Sequence, residues 1–352
     1  MSIVVDNVLH RYSDPMQPHS RVTIRDVAAR AGVSVATVSK VINQRYGVAA
    51  ATLSRVQAVI DELGYEASLV AQSLRNHKTN VIGVLVADLE PFSTELLKGA
   101  ADAIRGTGYE LVVYSAGGRT GDASGWERRY LSRLSGTLVD GAVLVTPAVS
   151  FEAIPGTPVV AVDPHTGPST TPMIDSDNLR GARLAMEHLL ISGHRRIAFL
   201  AGRPDLESAR LRERGYREAL ASQGIPVDEG LVRLGAYDPS VSARAARDLL
   251  SAADRPTAVF AANDISAIAT VEVARELGLD VPGDLSVVGF DNVPESALCT
   301  PPLTTVAQPI REMGYRAISL LVSLIDGKPP TETHITLTTE LVVRASTRAV
   351  LS

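Results

Sequence analysis

Between residues 81 and 291, short apolar runs alternate with amphipathic stretches. VIGVLVAD is followed by STELLKGAADAIRGTG, YELVVYSA by GWERRYLSRLSG, and then come GAVLVTP and VVAVD. After residue 178 the cycle resumes with NLRGARLAMEHLLISG, RIAFLAG, ESARLRERGYREALASQG, ARAARDLLSAA, TAVFAAN, ISAIATVEVARELG and LSVVGFD. Apolar runs that end in Gly, Asp or Asn and alternate with helices predict an α/β body of parallel layers. About ten such strands in two blocks predict two similar lobes. LTTVAQPI and the helix REMGYRAISLLVSLIDG are placed to cross back between them.

The first eighty residues have a different rhythm. Residues 1–20 are polar, contain Pro15 and Pro18, and show no period, so they read as a loose extension. Thr23 with Asp26 three residues on can cap a helix in which Ile24, Val27, Ala28 and Ala31 share one face, and Gly32 ends it. Ser34 caps a second helix with Val38, Val41 and Ile42 inward. A third, from about Thr52 to Leu63, turns Val56, Val59, Ile60 and Leu63 inward and stops at Gly64.

The first two helices have the spacing of a helix-turn-helix. Small Ala28 lets the helices cross, Gly32 permits the turn, Val33 plugs the gap, and Val38 with Ile42 anchors the second helix. Val35, Ala36, Thr37, Ser39, Lys40 and Asn43 are left facing out, the first of them placed to touch base edges in a major groove. Lys40 can reach guanine acceptors or a phosphate, and Val35 with Ala36 can pack on thymine methyls. Ser34 and Thr23 can offer backbone phosphates a hydroxyl and a helix N-terminus.

Composition and charge narrow the class. The chain has 352 residues, 45% hydrophobic and 21% charged, enough for two or three domains with a sizeable core. No apolar run approaches the ~18 residues of a membrane span, and the first twenty residues lack the pattern of a secretory signal. The single cysteine, Cys299, offers no internal disulfide and no metal cluster, so the expectation is a cytoplasmic protein without cofactor or metal. The net charge of −5 is uneven: residues 21–78 hold eight Lys/Arg against four Asp/Glu, while the rest is acidic. Only the head is suited to approach a polyanion.

VTIRDVAARAGVSVATVSKVIN, followed by RVQAVIDELGYEASLVAQSLR, resembles the DNA-binding head of the lactose-repressor (LacI) family of bacterial transcription regulators. The resemblance continues through HLLISGHRRIAFLAG, FAANDISAIATVEVARELGL, LSVVGFDN and PPLTTVAQP, covering about residues 22 to 348. It implies an N-terminal all-α head and a two-lobed, type I periplasmic-binding-protein-like body. The expected divisions are 1–20 extension, 21–66 DNA-binding domain, 67–79 hinge and linker, and 80–348 effector-binding and dimerisation domain. It also implies that residues 68–75, SLVAQSLR, become helical only on operator DNA, with Leu74 inserted in the minor groove and Ala71 at the approach of the two copies. An eight-residue helix is marginal alone, so its folding can be switched by what holds its ends. Two departures stand out: Ala49 where the family commonly has Ser, and Glu66-Ala67 where it often has Pro before the hinge.

A two-lobed α/β body places its ligand in a cleft at the carboxyl ends of the strands. Phe92, Ser93, Asp163, Arg212, Tyr237, Asn263, Asp264 and Asp291 sit there in the sequence pattern. Carboxylates, amides and a guanidinium fix hydroxyl groups, and an aromatic ring covers an apolar sugar face. The resemblance implies effector contacts for Arg212, Asp163, Asp291 and Tyr237, and a pocket-facing loop for Phe92 and Ser93. Asn263 and Asp264 are equally suited to capping the following helix. Leu206 and Ser208 precede Arg212, with no second arginine suited to a flat anionic base, which favours a mono- or oligosaccharide over a purine or nucleoside. No dinucleotide loop, P-loop, nucleophile elbow or paired metal-ligand spacing is present, which argues against an enzyme. The expected function is a ligand-responsive repressor, a homodimer on a pseudo-palindromic operator, with no leucine-heptad tail for a tetramer.

Overall fold

The computed structural model describes residues 22–42, 46–65, 78–117, 126–134, 138–147, 157–165, 171–328 and 332–350. They fall into two compact units, one up to residue 75 and one from residue 76 on.

The first unit is a three-helix head: α1 (Ile24–Ala31), α2 (Val35–Ile42) and α3 (Ala50–Leu63). The Asp26 carboxylate accepts from the Thr23 amide and hydroxyl, both at 2.7 Å, which fixes the start of α1. Gly32 closes it with φ of 66°, a left-handed value that favours glycine. Ser34 Oγ accepts the Thr37 amide at 3.1 Å and starts α2. Val27, Ala28, Ala31, Val38, Val41, Val56 and Val59 form the core.

The second unit has two lobes. The first contains β1 (Val81–Val86), α4 (Pro91–Ala103), β2 (Glu110–Ser115), α5 (Trp126–Leu134), β3 (Gly141–Val145), β4 (Val159–Val162) and β5 (Met173–Ser176). The second contains α6 (Asn178–Ile191), β6 (Ile197–Ala201), α7 (Glu207–Ser222), β7 (Val232–Leu234), α8 (Pro239–Leu250), β8 (Ala258–Ala261), α9 (Asp264–Glu276), β9 (Ser286–Asp291), α10 (Pro294–Leu298) and β10 (Thr304–Ala307). The chain then returns to the first lobe with α11 (Ile310–Ile325) and β11 (His334–Leu337), and β12 (Glu340–Val342) closes the second. The sheet orders are β11-β5-β4-β3-β1-β2 and β12-β10-β9-β8-β6-β7. Every pairing is parallel except β10 with β12.

The returning helix belongs to the first lobe's core. Ile310, Met313, Ala317, Ile318 and Leu321 of α11 pack with Ile82, Val84, Leu96 and Val143. Gly99 of α4 and Gly314 of α11 make the crossing possible: a Cβ on the former would strike the Arg311 carbonyl, and one on the latter the Leu96 carbonyl. The predicted crossing-back of this segment is what the structure shows.

Candidate functional site

The strands of both lobes deliver loops to one cavity of about 480 Å³. Thr146 follows β3, Asp163 follows β4, Ala236 and Tyr237 follow β7, and Asp291 ends β9. Their φ angles are 48°, 49°, 55°, 61° and 112°, which makes them five of the seven non-glycine residues with positive φ among the described residues. All five line this cavity. Unfavourable backbone geometry collected at one place marks a ligand site more than a packing need.

Arg212, in the second turn of α7, is only 4% exposed. Its Nε donates to Asn178 Oδ1 at 2.8 Å, and its Nη1 donates to the Ala262 carbonyl at 2.5 Å and Asp291 Oδ1 at 3.3 Å. The guanidinium lies 3.8 Å from the Phe290 ring centroid, so the cation is held flat as well as paired. Burial pushes the Asp291 carboxyl up to about 7, against the opposing pull of Arg212 and of the Gln308 amide, which donates to it at 2.6 Å. Asp163 is likewise pushed up by burial, opposed by Arg212 and by the Ser208 hydroxyl. The phenol of Tyr237 is pushed up to about 12 by burial, against the opposing pull of Arg212 and of the Ser208 hydroxyl. A Cβ at Gly202 would strike that ring, so the glycine leaves room for it.

Of the eight ligand residues expected from the sequence, Phe92, Ser93, Asp163, Arg212, Tyr237, Asn263 and Asp291 line the cavity. Asp264 does not. It is fully buried and accepts from the Val293 amide at 2.9 Å and the Thr305 hydroxyl at 2.5 Å. Neighbouring residues at a helix start point in different directions, so Asn263 faces the cavity while Asp264 braces the sheet. Asn263 also caps α9 through the Ser266 amide at 3.0 Å.

The sequence reading missed Asp88, Glu90, Arg203, Ser208 and Asp238, which also line the cavity. Arg203 corrects the expectation of a single arginine, although its guanidinium is engaged by Asp205 at 3.2 and 2.7 Å. Glu90-Pro91 and Asp238-Pro239 carried a legible signal, an acidic N-cap before proline at the first helical position. A depression of about 660 Å³ at the far ends of α6 and α7 is lined by Arg183, Glu187, Arg195 and Glu218, remote from the strand ends.

In the head, Val35, Ala36 and Lys40 are exposed on α2, with Thr37 and Ser39 partly so. Thr23 and Ser34 are exposed at the starts of α1 and α2. Both hydroxyls already serve those starts, Thr23 on Asp26 and Ser34 on Thr37 at 2.9 Å. Asn43, Ala71 and Leu74 lie outside the described residues. Ala49 stands at the N-cap of α3 and supplies no side-chain bond.

Comparison with known proteins bears on both units. Residues 23–68 match the bacterial regulatory proteins of the lacI family, and residues 186–347 match a periplasmic binding protein-like domain. The chain is 36% identical over 333 residues to the ribose operon repressor of Escherichia coli (strain K12), covering 92% of this chain and 99% of that protein. It is 33% identical over 333 residues to the HTH-type transcriptional repressor PurR of Photobacterium profundum, covering 93% and 98%. The solved structure of the lac repressor dimer bound to operator and the anti-inducer ONPF matches 94% of this chain and 100% of that chain, with 31% identity and a TM-score of 0.79. The chain therefore belongs to the LacI family of bacterial regulatory proteins, DNA-binding transcription regulators that join a helix-turn-helix head to a ligand-binding, periplasmic-binding-protein-like body.

Proposed function

We propose that this chain is a cytoplasmic homodimeric repressor whose affinity for a pseudo-palindromic operator is set by a sugar in the cleft between the lobes. The observation that carries the reading is the gathering of Arg212, Asp163 and Asp291 with Phe92 and Tyr237 around one cavity of about 480 Å³. That size suits a mono- or disaccharide. The similarity to a ribose operon repressor supports the same class. The cleft binds and performs no reaction in this reading.

Residues 21–66 then hold DNA, with Thr23, Ser34, Val35, Ala36, Thr37, Ser39, Lys40 and Asn43 on its surface. Residues 67–79 form the hinge, with Leu74 as the minor-groove wedge and Ala71 at the two-fold contact. Residues 80–348 bind effector and the second copy. A change in lobe position moves the hinge ends, and a coupling of about 1–3 kcal/mol alters operator affinity roughly 5- to 150-fold. Operator binding measured at fixed salt, with and without pentoses, hexoses, disaccharides and purines, tests this. A sugar that shifts affinity several-fold supports it, and specific binding moved only by a purine refutes the sugar. Leu74→Ala weakens specific binding more than non-specific binding if the wedge is real.

A second reading, a purine or nucleoside effector, is favoured by Arg203, a second guanidinium at the cavity wall. Its capture by Asp205 makes it the weaker one.

A further inference from the structure

Four helices start at the cavity, and the start of an α-helix is ordinarily an anion site, because its first amide groups have no partner in the helix. Here three of the four starts are capped by the protein's own side chains, and a carboxylate faces the fourth. Glu90 covers α4: its carboxylate accepts the Phe92 and Ser93 amides, both at 2.8 Å, and the Ser93 hydroxyl at 2.7 Å. Asp238 covers α8 by accepting the Val241 amide at 2.8 Å. Asn263 covers α9 with its amide oxygen. The first turn of α7 has no side-chain cap of its own, but Asp163 reaches it from the other lobe and accepts the Ser208 hydroxyl at 2.9 Å. The two arginines are engaged as well, Arg212 by Asp291 and Arg203 by Asp205.

We infer that the cleft selects an uncharged, hydroxyl-rich effector and refuses its phosphorylated or carboxylated counterpart, because carboxylates of the protein already hold two of the helix starts, an amide oxygen holds a third, a carboxylate faces the fourth, and both lining arginines are paired. The inference deepens the sugar reading and rests on it for the location of the effector. An anion in the cleft would face Asp88, Glu90, Asp163, Asp238 and Asp291 with no free cation among the lining residues to meet it.

The test is calorimetry on the full chain with matched pairs: ribose and ribose 5-phosphate, glucose and glucose 6-phosphate, adenosine and adenosine monophosphate. In any pair that binds, the phosphorylated member is expected to be at least about tenfold weaker. Alongside it, thermal unfolding is followed in inorganic phosphate and in chloride at matched ionic strength. Wild type gains nothing specific from phosphate, whereas Glu90→Ala and, separately, Asp238→Ala gain a saturable phosphate-dependent rise in Tm as a helix start is uncovered. A phosphorylated member that binds more tightly, saturable stabilisation of wild type by phosphate, or variants that gain nothing would each overturn the inference. Adenosine binding with the nucleotide refused and no free sugar bound would sink the sugar reading while upholding the selection against charge. Ribose 5-phosphate preferred over ribose would do the reverse.

Discussion

The Asp163 carboxylate, at the end of a first-lobe strand, accepts a hydrogen bond of 2.9 Å from Ser208 on the second lobe. Two residues further on, the His165 carbonyl accepts from Arg210 at 2.9 Å, and His165 Nδ1 lies 3.1 Å from Asp205. The lobes are thus tied at the cleft by polar groups from two short segments. Ser208→Ala removes the donor to a buried carboxylate, and unfolding in urea is expected to show a loss of about 1–2 kcal/mol. Effector affinity falls with it. A variant equal to wild type in both would show that the link carries no energy.

His165 makes the same region sensitive to acid. Burial pushes its imidazole down to about 4, against the pull of Asp205 and with the help of Arg203 and Arg210. In the unfolded chain it returns to about 6.5. Between those values the unfolded state binds a proton that the folded state refuses, so this group's contribution to stability falls as pH drops from about 6.5 to 4. Comparison of wild type with His165→Gln in urea across that range checks it: the variant shows the shallower acid-side loss.

Arg212→Ala is expected to abolish the effector response while the isolated head contacts, and so operator binding, persist. It also strands Asp291 in a buried site, at a cost of about 3 kcal/mol or more. Adding Asp291→Asn recovers part of that stability without restoring the response. A surviving response would place the pocket elsewhere.

Ala49 leaves the first amides of α3 without a side-chain acceptor, although its backbone is already extended at φ −65° and ψ 141°. Ala49→Ser supplies one, and hydrogen exchange of α3 is expected to slow by the equivalent of about 1 kcal/mol. No change would mean that the serine hydroxyl turns to water instead.

Lys40 stands exposed on the outer face of α2. If it meets a phosphate, Lys40→Ala weakens binding to all sequences alike and reduces the slope of log K against log salt by about 1. Loss confined to a single base position would place it on a guanine edge instead.

Long elements were legible because their periodicity is strong. The third helix was expected from Thr52 and begins at Ala50, and the α1 start and the Gly32 stop fell where the residues put them. Strands β5, β7, β11 and β12 were not read, because β7, β11 and β12 are three or four residues that stay partly exposed, and β5, though mostly buried, is the polar-interrupted Met-Ile-Asp-Ser. At the cleft the residue types were readable and their directions were not. Asn263 and Asp264 are adjacent and chemically alike, yet only the fold decides which one meets the cavity. Ser208 shows the same limit: its importance comes from Asp163, 45 positions away and on the other lobe.

The return of α11 to the first lobe governs how this protein is made. Ile310, Met313 and Ile318 complete a core begun at Ile82, so during synthesis the first lobe waits with an open apolar face until residue 325 has left the ribosome. The second lobe, contiguous but for one edge strand, can close earlier. The amino-terminal lobe therefore cannot close its core until most of the chain has been made. Neither lobe can be expressed or exchanged between relatives by a single cut in the gene.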